Sequence, residues 1–530
     1  MSDQALVSLS PNIKLEPLFN RWYAWSHLVA PATSAMNIAY SHVPMMKSYV
    51  ANPQVHAAAV RDPAMRGGPF IDYDGGRVDE IRDLLERTRT GQSRMIALAD
   101  AIRELNALLA TEGTGASLEP LYAKVPQILK GFVELVYDPS HRATARIIEG
   151  LLYHSEFYDP RRQSIALSRV DSDERAFVLS TPRLPDDRTL EAAIPFSSKA
   201  IDQLFDTRIE PCPIGEIREW LGVGDDRAEL LRSLVTEDRP ASARRYDGPG
   251  VRIRYFGHAC ILFETRDVTI LVDPVISYEY PTTIDRFTYA DLPPRIDYVL
   301  ITHNHQDHLL FETLLQLRLR IGEIVVPPSA GGALADPSLK LMLHAIGFRR
   351  VREIEDMESI EVPGGEIMGL PFLGEHGDLH IRTKAAHLVR LLGSTVVCAA
   401  DSNNLEPALY DHIHAAVGDI DVLFLGMECD GAPISWLYGP LLTKPLPRKL
   451  DQSRRFTGSN CERGMGLVER MKPKQVYVYA LGQEPWLSYI TSIQYTETSN
   501  PIVESSRLVS MCRERGLVSE RLYAKKIIDL

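Results

Sequence analysis

The stretch from Leu300 to Phe311, LITHNHQDHLLF, places three histidines and an aspartate, His303, His305, Asp307 and His308, within six positions directly after the apolar run DYVLI. A run of β-branched and large apolar residues forms a buried strand, so these polar side chains begin where a strand stops. Two histidines one residue apart in such a loop can point the same way, and the aspartate and third histidine follow after one more residue. One loop can therefore serve two adjacent metal ions, with His303 and His305 at one and Asp307 and His308 at the other. A chain carrying it has to build a sheet whose strand ends converge on this loop.

The second half of the chain supplies such strands. VRIRYFGHACILFET, VTILVDP, IDYVLITH, EIVVPP, TVVCAADSN, DVLFLGMECDG and QVYVYALG are β-branched or aromatic runs ending at Gly, Pro, Asp or His, with helical patterns such as HLLFETLLQLRL and SLKLMLHAIGF between them. A layered α/β arrangement is expected. The first half has another texture: Val78, Ile81, Leu84 and Leu85, then Leu98, Ile102, Leu105, Leu108 and Leu109, fall on helical stripes. QSIALSRV and RAFVLSTP read as two short strands around DSDER, so this half is mixed α+β and mostly helical. The change falls in TEDRPASARRYDGPG, a linker-like stretch with Pro240 and Pro249, which puts one domain at 1–246 and a second at 247–530.

Composition narrows the partners. The chain is 45% hydrophobic and 24% charged with a formal net charge of -12, a balance that argues against nucleic acid or an anionic membrane as the main partner. Its six cysteines are scattered without a CxxC pair, as expected of reduced thiols, and no signal-peptide pattern or long apolar run is present. A cytoplasmic location is expected.

Further metal ligands are expected at later strand ends. LPFLGEHGDLHIRTKAAH offers Glu375 or His376, and VVCAADSNNLEP offers Asp401 at the end of an apolar strand. Asp273 stands before Pro274 at the end of the VTILVDP run, a pair that could simply make a turn. His258, His376, Glu428 and Asp430 are candidates for supporting roles around the ligands, with Glu428 and Asp430 able to orient a ligand or bind a substrate amine. His344, His387, His412 and His414 sit in helical or amphipathic contexts and read as ordinary imidazoles.

The HxHxDH loop, with FGHACILFET and ILVDP before it, resembles the metallo-β-lactamase superfamily, which implies an αββα sandwich with Asp273 beneath the histidines, accepting a hydrogen bond from a ligand imidazole and fixing its tautomer. Within it, GEHGDLHIR followed by ADSNN resembles the di-iron β-hydroxylase branch known from chloramphenicol biosynthesis, in which a glutamate replaces the usual histidine. That branch also carries a large N-terminal domain, so the resemblance extends over nearly the whole chain. It implies His303, His305 and Glu375 at one iron, Asp307 and His308 at the other, and Asp401 shared. QVYVYALGQEPW departs from the hydrolytic pattern, with Gly482, Gln483 and Glu484 where a hydrolase places its last histidine.

The resemblance further implies an O2-dependent monooxygenase acting in antibiotic or natural-product biosynthesis. Its substrate would be an aminoacyl thioester on a nonribosomal peptide synthetase carrier domain, hydroxylated at the β-carbon, with Glu375 and Asp401 the carboxylates closest to the chemistry. An N-terminal domain that covers the substrate channel and forms a homodimer is implied as well. With no GxGxxG fingerprint in the sequence, electrons are expected from an external protein. The alternatives are a dinuclear zinc or manganese hydrolase, which needs the same loop, and a scaffold with a vestigial site. Arg448, Lys449, Arg454 and Arg455 form either a face for an acidic carrier domain or a solvated basic surface.

Overall fold

The computed structural model describes residues 3–238 and 244–530, so Pro240 and the middle of the linker-like stretch lie outside the described residues. From residue 251 on, the short β-branched runs form two seven-stranded sheets. The first runs in space from Val351–Glu353 through Ile321–Val326, Ile296–Leu300, Thr269–Val272, Ile261–Glu264 and Arg252–Tyr255 to Lys526–Asp529. The second runs from Ser359–Val362 through Gly365–Leu370, Ala386–Leu391, Ser394–Cys398, Val422–Gly426 and Gln475–Tyr479 to Val518–Arg521. Each sheet joins an antiparallel meander to a parallel half.

The strands are apolar on both faces because both faces are covered. Ile253, Phe263, Ile270 and Val325 of the first sheet meet Ile367, Val389, Val396 and Phe424 of the second in one buried cluster. The outer face of the second sheet packs on the helices Ala408–Val417, Cys461–Met471 and Asn500–Glu514. The outer face of the first is continuous with the core of the N-terminal region. This is the expected αββα sandwich, with the parallel strands ending at one rim where polar loops collect.

The N-terminal region is mixed and mostly helical, as expected. Val78–Gly91 and Ser93–Glu112 bury the leucine stripes, and Ile13–Phe19 pairs antiparallel with Gln163–Arg169. RAFVLSTP is not a strand. Its Arg175 donates to both carboxylate oxygens of Glu312, at 3.0 and 2.8 Å, and to Glu16 at 2.9 Å, and its guanidinium stacks 3.5 Å from the Tyr489 ring centroid. Val178 packs with Tyr489, Leu310 and Trp486, so the apolar run is used to join the two halves of the chain and no ladder forms. Glu312 also accepts from Tyr23 and Tyr278, each at 2.8 Å, and it begins the helix Phe311–Leu317 that leaves the HxHxDH loop. The N-terminal region is thereby bolted to the element that carries the site.

Candidate metal centre

The strand Ile296–Leu300 is hydrogen-bonded on both sides, and its end delivers Thr302, His303, His305 and His308 into the interior, His303 and His308 with no exposed surface. Asp273, at the end of the neighbouring strand, is equally buried. It accepts from Thr302 N at 2.8 Å and Thr302 Oγ1 at 2.5 Å, and its Oδ2 lies 2.7 Å from His308 Nδ1. A carboxylate there makes His308 carry its proton on Nδ1 and leaves Nε2 free to face a metal.

Nε2 of His308 lies 3.1 Å from Asp401 Oδ2, and Nε2 of His303 lies 3.7 Å from the same oxygen. On the other side of His303, His305 Nδ1 is 3.0 Å from Glu375 Oε1. His258 Nε2 stands 3.3 Å from Asp307 Oδ2. The donors form three overlapping groups, His303 with His305 and Glu375, His303 with His308 and Asp401, and His258 with Asp307 and His308. Asp401 thus falls between the halves of the loop. His258, reached as a supporting residue from the sequence, stands among the donors themselves.

The residues fit a pair of cations. Nε2 of His303, Nε2 of His308 and Oδ1 of Asp401 are buried without a hydrogen-bond partner, although the two Nε2 atoms face a carboxylate oxygen. Lone pairs aimed at a common point in a dry interior are what a metal satisfies. Electrostatics agree: burial, then the carboxylates of Asp401 and Asp307, push Glu375 well above the usual carboxylate range. Burial, then the neighbouring His308, holds His303 well below the usual imidazole range. A divalent cation removes both conflicts. Three histidines and three carboxylates of the expected set make an oxygen-rich group suited to iron or manganese.

Backbone strain is concentrated here. His258, Asp273 and Glu375 all adopt left-handed conformations, with φ of 51°, 40° and 71°. Each such non-glycine residue costs on the order of 1 kcal/mol and persists where the surroundings hold it. Gly426 shows how tight the fit is: a Cβ there would lie 2.5 Å from Asp401 Oδ1 and 2.6 Å from the Ala400 carbonyl oxygen.

The choice between Glu375 and His376 resolves into two places on one imidazole. Glu375 meets His305 Nδ1, whereas His376 Nδ1 stands 3.1 Å from His305 Nε2 on the opposite edge. His387 is not helical. It lies in the strand Ala386–Leu391, fully buried, with Nε2 3.1 Å from the Ile301 carbonyl oxygen at the entrance to the metal loop. Asp430 is exposed and accepts from Asn500, while Glu428 turns inward. Arg454 donates to the Gly377 carbonyl at 2.7 Å, and Arg455 to the Asp430 and Gly431 carbonyls at 2.7 and 2.5 Å. These two arginines tie site loops together, which neither sequence alternative anticipated, whereas Arg448 and Lys449 are exposed.

Several supporting residues carry no sequence signal. Lys384 pairs with His303 through an isolated bridge and donates to the Gly374 carbonyl. Glu484, where a hydrolase histidine was missing, accepts from Tyr255 Oη at 2.5 Å and from His258 N at 3.2 Å, and so supports the strained His258 turn. A cavity of about 560 Å³ opens over the centre, lined by His258, His305, Asp307, Glu375, Asp401 and Glu428 on one side. Ala64 to Gly68 and Phe70 of the N-terminal region, with Trp436 and Phe456, line the other.

Two family models match the chain. Residues 8–240 match the di-iron non-haem β-hydroxylase N-terminal domain, and residues 268–476 match a β-lactamase superfamily domain. The chain is 39% identical to 4-amino-L-phenylalanyl-[CmlP-peptidyl-carrier-protein] 3-hydroxylase of Streptomyces venezuelae, over 99% of each chain. It superposes on the crystal structure of CmlA, a di-iron β-hydroxylase of that organism, with a TM-score of 0.93 at 38% identity over 99% of this chain and 100% of that one. A UPF0173 protein of Pyrococcus abyssi is 33% identical over 24% of this chain and 50% of its own length. Among the described residues no helix is long and apolar enough to cross a membrane. A match that runs through both domains at this identity makes the chain a member of the di-iron non-haem β-hydroxylase family, with a metallo-β-lactamase-fold domain carrying the metal centre.

Proposed function

We propose that this enzyme hydroxylates the β-carbon of an aminoacyl group held as a thioester on a peptidyl carrier protein of a natural-product assembly line. The carrying observation is the full-length relationship to a 3-hydroxylase whose substrate is an aminoacyl group on a peptidyl carrier protein, N-terminal domain included. His303, His305 and Glu375 would hold one iron, Asp307 and His308 the other with His258 in reach, and Asp401 would be shared. The bound pair supplies O2 activation, with electrons from an external protein: a C–H bond, O2, two electrons and two protons give C–OH and water. An external electron donor and a homodimer belong to this proposal.

The chain's own residues position and enclose. Asp273 fixes the His308 tautomer, and His376 faces the edge of His305 away from Glu375. The cavity over the centre is of the size that holds a small organic ligand, and an adjoining cleft of about 630 Å³ shares Gly67, Gly68, Phe70, Pro433 and Trp436 with it. Two adjoining hollows that share lining residues from both domains suit a substrate carried on a long flexible arm. The N-terminal region would then serve as channel cover.

The test is mass spectrometry of intact carrier proteins loaded with a panel of amino acids and incubated with enzyme, reductant and O2. The expected result is addition of one oxygen to a subset of loaded carriers and none to the same amino acids free in solution. Oxidation of free amino acids at the same rate would refute the requirement for a carrier.

A further inference from the structure

We infer that Glu428 binds the α-ammonium of the aminoacyl substrate and so sets the β-carbon against the metal centre; this rests on the function proposed above. Glu428 follows the strand Val422–Gly426, whose last residue packs against Asp401. Its Oε1 accepts from the backbone N–H groups of Asp430 at 3.1 Å and Gly431 at 2.7 Å, which locks the carboxylate in a tight turn. Its Oε2 is buried and has no partner, and the residue lines the same cavity as His305, Glu375 and Asp401. Arg455, which is tied to this turn, directs its three guanidinium nitrogens to Asp430 O, Gln452 Oε1 and Gly431 O and makes no hydrogen bond to the Glu428 carboxylate.

A buried carboxylate oxygen without a donor costs free energy unless a ligand supplies a charge-assisted hydrogen bond. The cationic group common to every aminoacyl thioester with a free amine is the α-ammonium, and that group is attached to the carbon next to the one to be hydroxylated. A carboxylate beside Asp401 is therefore placed to fix both position and face of the β-carbon. An arylamine on the substrate side chain is neutral at physiological pH and matches a carboxylate less well.

The experiment compares wild type with Glu428→Gln, which keeps an acceptor for the Asp430 and Gly431 N–H groups while removing the charge. Three carrier-bound thioesters are used: 4-aminophenylalanyl, phenylalanyl, and the 3-(4-aminophenyl)propanoyl analogue that lacks the α-amine. The variant is expected to keep its iron and its optical spectrum and to lose about 30-fold or more in kcat/KM on the two substrates that carry an α-amine. On the des-amino analogue, which wild type itself should use poorly, it should lose little. An equal loss on all three substrates, or loss of iron, overturns the role, since Glu428 would then act on the centre itself. A loss restricted to the two substrates with a ring amine overturns it in favour of side-chain recognition. Wild type that hydroxylates no carrier-bound aminoacyl group would refute the underlying function instead, a result distinguishable from every outcome above.

Discussion

Replacing Asp273 by asparagine should weaken one iron site and spare the other. Asp273 is fully buried and accepts three hydrogen bonds, from Thr302 N at 2.8 Å, from Thr302 Oγ1 at 2.5 Å and across 2.7 Å from His308 Nδ1. Asparagine can keep the bond from Thr302 N with its oxygen, but its amide nitrogen then faces His308 Nδ1 as a donor. That hydrogen bond favours the tautomer protonated at Nε2, the nitrogen that faces Asp401 Oδ2 at 3.1 Å. The proton occupies the direction in which a metal would bind. Loss of such a supporting partner typically weakens metal affinity about 10–100-fold, equivalent to about 1.4–2.8 kcal/mol. His305 and Glu375 do not touch Asp273, so the iron they would hold should stay. The assay is iron content after equilibration with graded chelator, with circular dichroism as the control for folding. The expected profile is early loss of one equivalent and late loss of the second. Retention of both irons to the wild-type chelator concentration, or simultaneous loss from a folded protein, would refute the tautomer argument.

Other consequences are equally concrete. Gly426→Ala should abolish stable iron binding while leaving soluble protein, because its Cβ would lie 2.5 Å from Asp401 Oδ1; elemental analysis checks this. Arg175→Leu should destabilise by about 3–5 kcal/mol, since Glu312 would be left buried without its cationic partner while Glu16 keeps Arg183 and Lys14, and adding Glu312→Gln should recover part of the loss in a denaturant titration. Glu149 gives a pH dependence: burial pushes its carboxyl from 4.5 up to about 7. Between these values the unfolded chain has released a proton that the folded chain still holds, so stability falls as pH rises through this window, by about 3 kcal/mol in all. Glu149→Gln keeps an acceptor for Ser338 N and should remove this component; an unchanged slope in denaturation between pH 4.5 and 7 would contradict it.

The part of the site carried by contiguous sequence was legible, and the part assembled by tertiary contact was not. His303, His305, Asp307 and His308 follow one strand, and the side chains within reach of one another could be read from spacing alone. Glu375 against His376 could not, because both approach His305 and only coordinates show which meets Nδ1 and which faces Nε2. The strands of the sandwich were visible as β-branched runs ending at turn residues. The pairing of Lys526–Asp529 with Arg252–Tyr255 was not, since it joins segments some 270 residues apart. RAFVLSTP has the composition of a strand, yet Arg175 is drawn into the Glu312 and Glu16 carboxylates and the apolar residues around it pack between domains. The lining contributed by Ala64 to Gly68 and Phe70 left no trace in the sequence, because glycine and alanine near a cavity look like any loop.

The most direct test of a di-iron oxygenation centre is a single turnover with reduced protein, isotopically labelled O2 and a carrier-bound aminoacyl substrate, with iron counted in the same sample. About two irons per chain and one labelled oxygen at the β-carbon of the product are expected. Stoichiometric zinc with turnover of an ester or phosphodiester, or product oxygen drawn from water, would contradict it.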